Sequence, residues 1–261
     1  MERIGEKITD GVAELRFELT VEGQQVPGIR WAPEAGSGAA PTILMGHGGF
    51  QSKEAPNIVA MAASMARRRG WATIALDAPG HGDRRTEEQV RQQEETLRRL
   101  QTAGARTPGT PRPSAERPND SGPGVGPDAV IPRMSREWRA LLDEIEGTDL
   151  AGTSYGYWGV SMGARYGIPL VANEPRIAAA VFGLFAYLPD PAFREQVAAI
   201  TVPLLFLFQY NDELMTPAAG LALWEAFGSA EKTMHINPGP HVGVPTFERE
   251  SSAAFFARHL H

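Results

Sequence analysis

The sequence predicts an α/β protein: a mostly parallel central sheet with helices on both faces and an N-terminal antiparallel hairpin. Three observations carry this. Short apolar runs at 41–45, 71–76, 177–182 and 203–208 lack the polar alternation of a half-exposed sheet, which is the pattern of strands buried on both faces. Segments of helical character at 56–69 and 217–227 fall between such runs, so strand and helix alternate as parallel connections require. Upstream, residues 12–21 and 25–31 read as two extended segments joined at Glu22-Gly23, consistent with a hairpin.

The remaining elements follow in order. Residues 84–130 interrupt the rhythm. Their first part, 86–103, is highly charged and fits a solvated helix; their second, 104–127, is dense in Pro and Gly and fits an irregular segment. An excursion of this length is either a lid over a site at the sheet edge or a surface loop. Regular structure resumes at 134–146, where Trp138, Leu141, Leu142 and Ile145 recur at helical spacing. The run 155–160 is a buried strand, a helix follows at 162, a strand is expected at 232–236, and a helix at 246–259 closes the chain.

With 261 residues, 42% of them apolar, the chain is long enough for one large core, so a single domain over 1–261 is expected. A formal charge of −6 without a long Lys/Arg stripe argues against nucleic acid as a partner. Arg67-Arg68-Arg69 ends a helical segment, where cations favour the negative end of the dipole. The absence of cysteine excludes disulfides, thiolate metal sites and a cysteine nucleophile. Residues 1–10 are charged and lack the apolar core of a signal peptide, and no run is long enough to span a membrane; the expectation is a soluble cytoplasmic protein without a membrane partner. Oligomeric state is not indicated.

Two Gly-x-Ser-x-Gly matches compete, around Ser154 and Ser161. A nucleophilic serine on a strand-to-helix elbow needs the strand before it and the helix after it. Ser161 has that order, with the apolar run ending at Val160, whereas Ser154 precedes the strand. Gly159 and Gly163 fit the same turn, because side chains two residues either side of a strained nucleophile would meet the neighbouring strand and helix.

In a parallel sheet, ligands bind beyond the carboxyl ends of the strands, so the residues after each strand are the ones to inspect. Gly46-His47-Gly48-Gly49-Phe50 follows the strand at 41–45, and a glycine-rich turn there can aim backbone N–H groups at an oxyanion. The amide of Gly49, with Phe50 as the second choice, is the expected donor, together with the amide of Met162. His47 lies inside this turn and is read as its brace. Asp212 follows the strand at 203–208 and is placed to orient a histidine, with Glu213 and then Asp190 as competitors. Of the histidines after Asp212, His235 lies in a strand, and His259 and His261 sit on or beyond the last helix. His241, on the loop after the last strand, is the one expected to reach a serine.

The order Ser161, Asp212, His241 resembles that of the α/β-hydrolase family. The similarity runs from His47-Gly48-Gly49 through Leu76-Asp77-Ala78-Pro79-Gly80-His81-Gly82-Asp83 to His241, nearly the whole chain. It implies the family's fold and makes Asp77, His81 and Asp83 structural; their loose spacing also argues against a metal site. Within the family the chain looks closest to dienelactone-hydrolase-like esterases, through Asp212-Glu213-Leu214 and the short distance from Ile177 to Pro203, although serine stands where dienelactone hydrolases carry cysteine. The short 183–202 segment leaves no room for a large helical cap, so any cap comes from 84–130.

The expectation is a serine hydrolase acting on small to medium carboxylic esters, without cofactor or metal. Phe50, Met162, Phe185, Tyr187, Leu214 and Met215 are the expected lining of an apolar pocket. Lactones, thioesters and carbon–carbon bonds stay open on the same residues, as does a binding protein that kept the scaffold.

Overall fold

The structure, a computed structural model, describes residues 1–38, 40–102, 127–186 and 190–260. Among them nine strands form one sheet in the order β1-β2-β3-β5-β4-β6-β7-β8-β9. β1 (Glu2–Thr9), β2 (Val12–Val21) and β3 (Gln24–Pro33) are antiparallel, and β3 pairs antiparallel with β5 (Ala72–Leu76). From there β5, β4 (Thr42–Gly46), β6 (Tyr155–Val160), β7 (Ile177–Gly183), β8 (Leu204–Gln209) and β9 (Lys232–Asn237) run parallel.

The helices are α1 (Pro56–Arg69), α2 (Glu87–Thr102), α3 (Pro127–Ile145), α4 (Met162–Asn173), α5 (Pro191–Ala199), α6 (Pro217–Ala226) and α7 (Glu248–His259). Side chains alternate across each central strand and build a core on each face. Leu44, Tyr157, Phe206 and Phe208 pack with Trp138, Leu141, Ile168 and Val197 from α3, α4 and α5. Ile43, Met45, Trp158, Val160 and Leu207 pack with Met61 and Met65 of α1 and Phe255 and Phe256 of α7. At about 25 cal/mol per Å² of apolar surface removed from water, these two layers are the main stabilising term.

The expected hairpin is the β2/β3 pair. β1 was not expected: all eight of its residues are exposed, so no buried face marks it in the sequence, and its charges suit an unpaired edge. The charged helix expected over 86–103 is α2, and α3 begins at Pro127, ahead of the expected 134. The Pro/Gly-rich segment 104–127 falls outside the described residues up to 126. Arg68 of the basic triplet pairs with Glu250 at 3.0 Å, and Gly70 closes α1 in the left-handed conformation. No described helix is long and apolar enough to cross a membrane.

The chain leaves β4 for β5 on one side and later returns to β6 on the other. This places a switch of direction between β4 and β6, where parallel sheets open a crevice at their carboxyl ends. Gly46 at the end of β4 pairs with Gly159 near the end of β6, which brings the 46–50 turn beside Ser161.

Candidate active site

Ser161 joins β6 to α4 with φ 56° and ψ −119°, outside the regions open to most side chains. Such a conformation costs on the order of 1–3 kcal/mol and persists where its surroundings hold it. Here the Ser161 N–H donates to the Gly183 carbonyl (2.8 Å) and the Ser161 carbonyl accepts from Arg165 N–H (3.1 Å). The flanking glycines are needed for space: a Cβ on Gly159 would lie 2.7 Å from the Gly163 backbone, and one on Gly163 would lie 2.3 Å from the Gly46 carbonyl oxygen. Ser154 lies ahead of β6, where its carbonyl accepts from Thr42 N–H at 3.0 Å.

His241, on the loop after β9, sets its Nε2 3.0 Å from Ser161 Oγ and its Nδ1 2.7 Å from Asp212 Oδ2. An Nδ1–H donating to the carboxylate leaves Nε2 free to accept the serine proton. Asp212 is buried and its other oxygen accepts from Leu214 N–H at 2.7 Å. The competing carboxylates have other partners. Glu213 accepts the backbone N–H of His241 at 2.8 Å, and Asp190 caps α5 through Ala192 N–H. Asn211 Oδ1 accepts from Gly239 N–H (3.2 Å), and Gln209 Nε2 donates to the carbonyls of Pro238 and Pro240 (both 3.4 Å). The end of β8 and the turn after it therefore hold the histidine loop by four separate residues, of which the sequence reading assigned this task to Asp212 alone and named Glu213 only as its competitor. Their spacing along 209–213 was the available signal.

Within the 46–50 turn, Gly48 N–H is engaged by Gln51 Oε1 at 3.0 Å, while Gly49 lines the same cavity as Ser161. Phe50 has φ 59°, a left-handed turn residue. Met162 is the first residue of α4, so its N–H has no acceptor inside the helix and its dipole end faces the serine. Gly49 and Met162 thus flank Ser161 from two elements, β4's turn and α4.

His47 braces the turn as expected. Its Nδ1–H donates to the Gly48 carbonyl (2.8 Å) and its Nε2 accepts from Ala78 N–H (3.0 Å), tying the turn to the 77–83 segment. Burial, followed by the nearby His81, lowers its pKa to about 4, so the ring is neutral at pH 7. Asp77 accepts from Lys53 N–H and Nζ and from Asp83 N–H within 2.7–2.9 Å, and Lys53 Nζ also donates to Asp83 at 2.6 Å. Burial opposes the Lys53 charge, yet these bonds raise its pKa. The 77–83 segment is a polar staple that runs from buried Asp77 and His81 to exposed Asp83.

A cavity of about 390 Å³ reaches Ser161, Gly49 and His241. Its walls are the start of α1 and the 242–249 segment, and its floor is Trp158, Val160, Leu184 and Leu207. This differs from the expected pocket. Phe185 and Leu214 pack on the opposite core with buried Met215, Phe50 and Met162 do not line this cavity, and Tyr187 lies outside the described residues. Position after a strand does not say on which sheet face a loop side chain lands.

No family model matches the sequence, and no curated protein matches it. Solved structures do. A cold-adapted esterase from an Arctic intertidal metagenomic library, in its polyethylene-glycol-bound form, is 30% identical with a TM-score of 0.78, each chain covered in full. Its native form aligns at 27% identity and a TM-score of 0.73, again over both full chains. A dienelactone hydrolase from Anabaena variabilis, 18% identical, shares the fold over 97% of this chain and 100% of its own, with a TM-score of 0.68. The sheet order, the serine elbow and the full-length match at 30% identity together make this chain a member of the α/β-hydrolase superfamily, in the same family as the cold-adapted esterase and with the fold of the dienelactone hydrolase.

Proposed function

We propose that the protein is a serine hydrolase of carboxylic esters working through an acyl-enzyme. The reading rests above all on one observation: a continuous hydrogen-bond chain from Asp212 through His241 to Ser161 Oγ at the mouth of a cavity. Ser161 Oγ attacks the ester carbonyl as His241 Nε2 takes its proton. The Gly49 and Met162 amides receive the oxyanion, with Phe50 as the second choice for the turn's donor. His241 then returns the proton to the leaving alcohol, and the same base activates water to release the acid. Asp212 holds the imidazole tautomer and stabilises its charged form. Esters are favoured over thioesters and carbon–carbon bonds because the neighbours at 30% and 27% identity are described as esterases.

Hydrolysis of p-nitrophenyl esters of increasing acyl length, wild type beside Ser161→Ala, tests this. Turnover that falls by three or more orders of magnitude in the variant is the expected result. A variant that keeps most of the activity would remove Ser161 from the mechanism, and no activity in either protein would favour the binding-protein reading.

A further inference from the structure

Gly48 is the hinge of the turn beside Ser161. Without a side chain it has a wide range of φ and ψ, so the direction of the next amide, that of Gly49, has to be set by its surroundings. Three hydrogen bonds set it. The Gly48 N–H donates to Gln51 Oε1 at 3.0 Å. The Gly48 carbonyl accepts from Gln51 N–H at 3.3 Å and from His47 Nδ1–H at 2.8 Å. Gln51 therefore grips both peptide planes that meet at Gly48, one with its side chain and the other with its backbone.

The Gly48–Gly49 peptide is planar and trans, so its N–H points opposite to its carbonyl. That carbonyl faces the ring of His47, which is buried and takes no part in the cavity wall, whereas Gly49 lines the cavity together with Ser161. The Gly49 N–H is thereby turned away from His47. Two further features agree with a turn that is held in place. Phe50, between Gly49 and Gln51, has φ 59°, a conformation that favours glycine and that a larger residue keeps where its surroundings fix it. A Cβ on Gly48 would lie 3.0 Å from Gln51 Oε1, so a side chain there would push the amide oxygen back. Gln51 itself is exposed, outside the core.

We propose that Gln51 is a positioning residue for ester hydrolysis: its side-chain oxygen, by fixing Gly48, aims the Gly49 N–H at the oxyanion that forms when Ser161 attacks. This rests on the reading of Ser161 as nucleophile and Gly49 as donor. Gln51 acts through the turn and not on the ester, so its loss falls on kcat. Gln51→Leu removes the acceptor, and Gln51→Asn withdraws it by one methylene while keeping a polar surface. Each should lower kcat for p-nitrophenyl butyrate roughly 10- to 100-fold with KM little changed, a part of what deleting one oxyanion donor costs. The second readout is inhibition by an alkyl trifluoromethyl ketone. Ser161 Oγ adds to its carbonyl carbon, the serine proton passes to His241, and the carbonyl oxygen becomes an oxyanion. The inhibition constant should rise in both variants by about the factor lost from kcat. Wild-type kcat in both variants, a change in KM alone, or a loss of kcat with ketone affinity intact overturns the proposal. The ketone also separates the two assignments. If the wild type forms no ketone adduct that depends on Ser161, the nucleophile reading falls and this proposal with it; a Ser161-dependent adduct equally tight in wild type and both variants sinks the positioning role alone.

Discussion

His47 couples the turn beside the serine to the acidity of the medium. It is 2% exposed, with one ring nitrogen donating to Gly48 and the other accepting from Ala78 N–H at 3.0 Å. Burial, then the neighbouring His81, lowers its pKa from the ordinary 6.5 to about 4. The unfolded chain takes up this proton near 6.5 and the folded chain does not until about 4, so the unfolded state binds more protons in between. The fold is unaffected by this group above pH 6.5, loses stability as the pH falls, and has suffered the whole loss below pH 4. That separation, at about 1.4 kcal/mol per pH unit, is about 3 kcal/mol in all and about 2 kcal/mol by pH 5. Glutamine also offers one donor and one acceptor but does not titrate. Urea unfolding of wild type and His47→Gln at pH 7 and pH 5 therefore isolates the effect, because carboxylate titrations are common to both. The stability of wild type relative to the variant should drop by about 2 kcal/mol between these pH values. Parallel losses in the two proteins would refute the reasoning.

Removing the acceptor for the His241 N–H, Glu213→Ala, should lower kcat for an activated ester roughly 10-fold with KM little changed, since a charge-assisted bond contributes about 1.5–3 kcal/mol to holding the loop; Glu213→Gln should recover part of this, and wild-type kcat in the alanine variant would contradict the role. Asp77→Asn leaves the buried Lys53 ammonium with Asp83 as its main counter-charge and should cost about 1.5–3 kcal/mol, read as a lower urea midpoint; an unchanged midpoint would contradict the staple. Gly163→Ala forces a Cβ to 2.3 Å from the Gly46 carbonyl and should destabilise by about 1–3 kcal/mol while suppressing ester turnover, so normal activity in this variant would show that the elbow tolerates a side chain.

The central strands were legible because both faces are buried and their residues are almost uniformly apolar, as in the run from Leu204 to Phe208. Ser161, His241 and Asp212 were legible because a parallel sheet sends its strand-end loops to one edge and chain order then leaves few candidates. β1 was not, because an edge strand with no buried face has no hydrophobic period. The role of Glu213 was not legible either: adjacent carboxylates on one turn look equivalent until the backbone directs one to the imidazole and the other to a backbone amide. The cavity residues were missed for a related reason. Trp158 and Asn57 lie over a hundred residues apart and read as core and helix start, and only the folded chain brings them to one cavity.

The account turns on Ser161 being the nucleophile, which a covalent probe tests most directly. Incubation with an alkyl fluorophosphonate, followed by digestion and mass spectrometry, should give one adduct per chain, on the peptide carrying Ser161, and labelling should be slowed strongly in His241→Ala. Loss of ester turnover should track the labelled fraction. An adduct at Ser154 instead, or an enzyme that still hydrolyses esters with no modified serine, would contradict it.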